Sequence, residues 1–227
     1  MKASRFSGPA LAVMLIAVPA LSAEVAAKDD DDDEASEISF AQVEEFPVAG
    51  GEVVDGASIL IRKEEGVAYT FSTRGLRRAA PYTNWWVTFN NPEACKTPCV
   101  CSDVDFANPD VDIGVFWATG RVTNGFGQAD FSAQIDYGAL PGGEDQVPFA
   151  PDFASAIEPG AEIHVIVRAH GPRLSNVLEA QLTQFNGGCP PHPEEELGGC
   201  IDLQFSVHRS PQCRAPDDNG DDDDDDD

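Results

Sequence analysis

In residues 201–208, the apolar Ile201, Leu203, Phe205 and Val207 interleave with Asp202, Gln204, Ser206 and His208. A period of two suits a strand with one buried face and no helix. It recurs at residues 162–170, where Ile163, Val165, Val167 and Ala169 face one way and His164, Ile166, Arg168 and His170 the other. It recurs again at 128–136, with Ala129, Phe131, Ala133 and Ile135 against Asp130, Ser132, Gln134 and Asp136. Residues 57–62 and 67–73 are rich in β-branched and aromatic side chains across Lys63-Glu64-Glu65-Gly66, which predicts a hairpin. In residues 82–89, Tyr82, Asn84, Trp86 and Thr88 oppose Thr83, Trp85, Val87 and Phe89. Bulk on both faces predicts a central strand.

Residues 113–123 and 128–136 flank Asn124-Gly125, a strong short-range hairpin cue, and are expected to pair. For 201–208 the expectation is Ile201, Leu203, Phe205 and Val207 inside, with the polar set outside. Residues 178–185 read as a helical turn followed by a strand, without a decision between them. The proline-bearing connection 139–159 holds at most one helical turn, near 152–156. No ten-residue helical pattern interrupts these segments. The expected fold class is therefore all-β, a single antiparallel β-sandwich of Ig-like, Greek-key type over residues 38–213.

The N-terminus carries Lys2 and Arg5, an apolar run over 10–21, and small residues that offer cleavage after Ala23 or Ala27. This is the pattern of a secretory signal peptide, and the apolar run is too short for a stable membrane anchor. The mature chain is expected to be secreted or periplasmic, without membrane insertion after cleavage. An oxidising compartment turns its six cysteines into candidate disulfides rather than metal thiolates. Residues 24–37 and 214–227 hold runs of aspartate and glutamate that repel themselves and bury nothing; both are expected to be disordered.

The chain has 40 acidic and 14 basic residues, a formal net charge of −26. That field excludes nucleic acid and anionic lipid surfaces as partners and favours cations or basic proteins. The aspartate runs could collect calcium weakly, but they lack the spaced ligands and turn glycine of a preorganised loop, so no cofactor is expected.

Cys95, Cys99 and Cys101 cluster in one loop, and Cys189, Cys200 and Cys213 lie near the C-terminus. Cys189–Cys200 closes a short proline-rich loop. Cys95–Cys99 is the preferred second bridge, which leaves Cys101–Cys213. His164, His170 and His208 are the candidate ligands of a copper or zinc site. Against them, His164 and His170 stand roughly 20 Å apart on an extended strand. Tyr82, Trp85, Trp86, Phe116 and Trp117 could stack on sugar. No Gly-x-Ser-x-Gly elbow, His-Glu-x-x-His pair or glycine-rich phosphate loop occurs. No catalytic residue is assigned.

Several segments together carry a resemblance: Tyr82-Thr83-Asn84-Trp85-Trp86, Phe89-Asn90-Asn91-Pro92-Glu93-Ala94-Cys95, Ala118-Thr119-Gly120-Arg121-Val122, Phe185-Asn186-Gly187-Gly188-Cys189 and Gln204-Phe205-Ser206-Val207-His208. Over residues 52–210 the chain resembles a family of exported bacterial β-sandwich proteins of unknown function. The stretch from Glu162 to His170-Gly171-Pro172 is similar to a strand of extracellular CHRD-type β-sandwich domains. The resemblance implies a sandwich and transfers no site residue. The expected function is a secreted or periplasmic, non-catalytic binding or structural module with an unknown extracellular ligand or protein partner. The alternatives are divalent-cation binding, with calcium on the aspartate runs or copper on histidines, and glycan binding. The oligomeric state is left open.

Overall fold

The computed structural model describes residues 37–46, 52–142, 153–189 and 200–213. The leader, most of the first acidic run, His192 and the aspartate tail lie outside them. Nine strands and one short helix follow in order: β1 (Glu37–Ala41), β2 (Glu44–Glu45), β3 (Gly56–Arg62), β4 (Gly66–Thr73), β5 (Pro81–Phe89), β6 (Ile113–Val122), β7 (Ala129–Asp136), β8 (Glu162–Ala169), α1 (Leu178–Thr183) and β9 (Ile201–His208). They form two antiparallel sheets, one ordered β1-β3-β4-β7 and the other β2-β9-β8-β5-β6. The sheets stack as an open sandwich.

The interior between them holds Leu60, Tyr69, Phe71, Trp86, Phe116, Phe131, Ile163, Val165 and Val167. A second apolar layer, with Trp85, Val87, Phe89, Cys95, Cys101, Val111, Ile113 and Val115, lies on the far side of the five-stranded sheet. β5 explains both layers. It is central, paired to β6 and β8, and all nine of its residues are buried. Trp86 enters the interior, while Trp85 enters the outer layer.

The β3–β4 hairpin forms as expected, and β7 buries Ala129 and Phe131 while exposing its polar set. Two expectations fail. β6 and β7 do not pair: β6 joins β5, and β7 crosses to pair with β4. Asn124-Gly125 still makes a tight turn, with Asn124 Oδ1 accepting from the amides of Phe126 and Gln128. The turn is a corner between the sheets because Ala79 and Leu76 supply its outward hydrogen bonds, through Asn124 O and Gly127 O. Residues 178–183, left undecided from the sequence, are helical, and 184–185 do not form a strand. Among the described residues 153–156 there is no helical turn, within the expected bound of at most one.

Second, β9 exchanges its faces over residues 204–208, beyond a register shift at Leu203; Leu203 still packs on the interior cluster and Asp202 lies on the outer side. Gln204, Ser206 and His208 point into the sandwich, each at most 5% exposed. Phe205 and Val207 point outward, and Ile201 is 48% exposed. A complete polar network stabilises this inversion. His208 Nδ1 meets Ser39 Oγ at 2.9 Å and Nε2 meets Ser58 Oγ at 2.8 Å. Ser206 donates to Ser58, and Thr73 Oγ1 donates to Gln204 Oε1. A buried polar group is tolerated when its hydrogen bonds are made, and these four strands make them for one another.

Candidate functional site

The exchanged face of β9 creates the site. Phe205 and Val207 join Trp85, Val87 and Phe89 of β5, Val115 of β6 and Ile166 of β8 on the outside of the five-stranded sheet. A groove of about 760 Å³ opens over them. That is within the range of sites that enclose small molecules. Its walls are aromatic: Phe46 packs on Phe205, Phe185 on Trp85, and Phe106 on both Phe89 and Phe153. Along the lip, Val100 and Phe106 are more than two-fifths exposed, as is Val104 nearby on the same loop.

The cysteine loop forms one wall, held in shape from within. The carboxylate of Asp105, 1% exposed, accepts from the amides of Lys96 and Ser102 at 2.7 and 2.8 Å. The Ser102 bond caps a 3₁₀ turn at Asp103–Ala107, and the Lys96 bond ties that turn to the chain just after a second one at Pro92–Ala94, where only irregular chain was expected. Three disulfides add to the frame, and they correct the expected pairing. Cys189–Cys200 forms as expected, but the other bridges are Cys95–Cys101 and Cys99–Cys213. Cys95 and Cys101 both turn down into the outer apolar layer. Cys99 sits at φ 64°, in the left-handed region, with its side chain turned away to the C-terminal turn at Pro211–Cys213. With every cysteine oxidised, no thiolate remains for zinc or an iron–sulfur cluster.

The histidines do not converge, and His208 lies on the inner face of β9 where the outer one was expected. His164 lines the groove, and His208 faces the interior as described above. His170 lies just beyond β8, 1% exposed. Its Nδ1 donates to Gly187 O at 2.9 Å, while Nε2 accepts from Thr83 Oγ1, which itself accepts from Trp85 Nε1. Burial holds His170 at a pKa of about 4 and His208 at about 3, with the positive Arg168 and Arg62 adding to the respective effects. The aromatics set apart for sugar stacking are also accounted for: Tyr82, Trp85, Trp86 and Phe116 are each at most 3% exposed, and Trp117 is half-buried.

Two charged clusters flank the groove. At one end Arg168 is fully engaged, donating to Phe185 O, Asp202 Oδ1 and Asn186 Oδ1 while its guanidinium lies 3.7 Å from the centre of the Phe185 ring. Burial pushes the Asp202 carboxyl above its ordinary value, against the pull of Arg168. At the other end the carboxylate of Glu162, 0% exposed, receives three bonds on Oε1: from Cys101 N at 3.1 Å, His164 Nε2 at 2.7 Å and Arg209 Nη1 at 2.8 Å. Its Oε2 is buried without a hydrogen-bond partner among the described residues. Sequence reasoning passed over Glu162 and Arg209. Their meeting depends on the β8–β9 register, which pairs Ile163 with His208 and so brings Arg209 opposite Glu162.

Fold and site together define a class: an open antiparallel β-sandwich carrying three disulfides, with an apolar groove on its outer sheet face. No described helix is long and apolar enough to cross a membrane. The chain matches no protein-family model, and no curated protein matches it.

Proposed function

We propose that this protein is an extracytoplasmic, non-catalytic binding module that holds an apolar small molecule in the groove of its five-stranded sheet. The observation that carries the reading is the exchanged β9. Phe205 and Val207 are turned away from the sandwich interior to floor a concave aromatic surface, while polar residues are taken inside. Val100 and Phe106 at its lip are exposed, and exposed apolar residues beside a concave apolar wall mark an interaction site. The leader-like N-terminus and the oxidised cysteines support an extracytoplasmic setting. The sequence likeness to exported β-sandwich proteins is consistent with the same setting.

The test uses Nile red, a neutral dye whose emission shifts in apolar surroundings, with the oxidised full-length protein. Saturable binding at micromolar dye with quenching of tryptophan emission is expected, since Trp85 lies in the floor. Val100→Glu, at the exposed lip, is expected to weaken binding at least 5-fold without changing the melting temperature. Absence of saturable binding by the unaltered protein would end the proposal.

A further inference from the structure

Resting on the groove reading, we infer that the ligand is an anionic amphiphile, with an apolar body on the sheet floor and an oxyanion head at Arg209. Two arginines flank the groove, and they differ in what they have left to give. Arg168 spends Nε, Nη1 and Nη2 on protein acceptors. Arg209 donates only from Nη1, to Glu162, and its side chain remains 41% exposed at the groove. Among the described residues no other acceptor takes its remaining N–H groups. A guanidinium has five donors in a fixed fork that matches a carboxylate or sulfate in two parallel bonds.

Arg209 is also held in place. The fully buried Glu162 anchors one arm of the fork, and its charge is shared with Cys101 N and His164 Nε2. His164 is oriented by the same oxygen, so its other ring nitrogen, unbonded among the described residues, stands at the same end of the groove. A head group there would meet a cation whose orientation is already fixed, next to an apolar floor that excludes water. The pairing is strengthened by that setting.

The formal charge of −26 opposes an anion from afar. That opposition is screened beyond about 8 Å at physiological salt, whereas a contact pair at about 4 Å in a partly buried site is not. The local fork therefore decides the head group, and the acidic surface slows its approach.

Displacement of bound Nile red by ten-carbon amphiphiles of equal chain length tests this: decanoate, decyl sulfate, decanol and decylamine. Decanoate or decyl sulfate is expected to displace at a concentration at least 10-fold below decanol, with decylamine weakest. The two anions separate carboxylate from sulfate recognition, and preference for either upholds the inference. Arg209→Gln is expected to retain Nile red binding and to bring decanoate level with decanol; Arg209→Lys should keep part of the preference. If decanol or decylamine matches the anions on the unaltered protein, the inference is wrong whatever the variants do. A decanoate preference that persists in Arg209→Gln would also overturn it. Both outcomes leave the groove reading intact, because Nile red binding reports on that separately.

Discussion

His208 sits neutral between Ser39 and Ser58, and burial holds its pKa at about 3; His170, under the Cys189–Cys200 bridge, is held at about 4. In the unfolded chain both return to about 6.5. A histidine with a lowered folded pKa leaves stability intact above the unfolded value. Below it, the unfolded state takes up protons that the folded state refuses. Stability is therefore expected to fall as pH drops from about 6.5 through about 4 and towards 3, with His170 contributing at most about 3 kcal/mol. Urea midpoints at neutral and acid pH measure this. His208→Gln, which keeps an uncharged donor and acceptor between the serines, is expected to flatten the slope; an unchanged slope would show that His208 titrates freely. None of this was legible from residues 201–208. Alternation reveals two faces but not which is inside, and the apolar set was assigned inward because polar interiors are uncommon. The inversion depends on Ser39, Ser58 and Thr73, which lie over a hundred residues away in sequence.

Turns and strands were read more securely than the way they assemble. β5 was recognised as central because both of its faces carry bulk, and the burial of all nine residues agrees. The Asn124-Gly125 turn was recognised too, but its role was mistaken, since a local signal fixes the reversal of the chain and not the sheet that the second strand joins. Gly127 belongs to that corner: its φ is 74°, and an added Cβ would lie 2.2 Å from Leu76 O. Gly127→Ala is expected to destabilise by about 1–3 kcal/mol, measured by chemical denaturation, more than a turn glycine with open space around it. Gly125, with nothing within 4 Å of a built Cβ, is the control. The cysteine bridges test the C-terminal turn in the same way. Cys99–Cys213 spans 114 residues, against 6 for Cys95–Cys101. By loop-closure entropy, replacing both members of the long bridge with serine should remove about 4–5 kcal/mol, roughly twice the effect of removing the short one. Equal losses would mean that native-state packing, not chain entropy, sets their value.

The sandwich was legible as a class because alternation, bulk and turn residues agree along the chain, whereas the groove was not, because it needs three separate events. β9 must turn over, the cysteine loop must fold onto the outer face around Asp105, and Phe46, Phe153 and Phe185 must arrive from connections between strands. Charge was legible throughout, and it makes a claim on the whole molecule. With 40 acidic residues and 14 basic ones, most acids lack a cation to pair with wherever the chain places them. Compaction brings those charges closer, so self-repulsion is greater in the folded state than in the unfolded one. Salt should relieve it, since the screening length falls from about 30 Å at 0.01 M to about 3 Å at 1 M. Raising sodium chloride from about 0.01 M to about 0.5 M is therefore expected to stabilise the protein by about 1 kcal/mol, or roughly 2–4 °C in melting temperature. Cesium chloride should act alike, because screening is indifferent to the cation. A rise confined to calcium chloride would instead mark a specific cation site. A fall in melting temperature with either monovalent salt would mean that the Arg168–Asp202 and Arg209–Glu162 pairs outweigh the repulsion of the acidic excess.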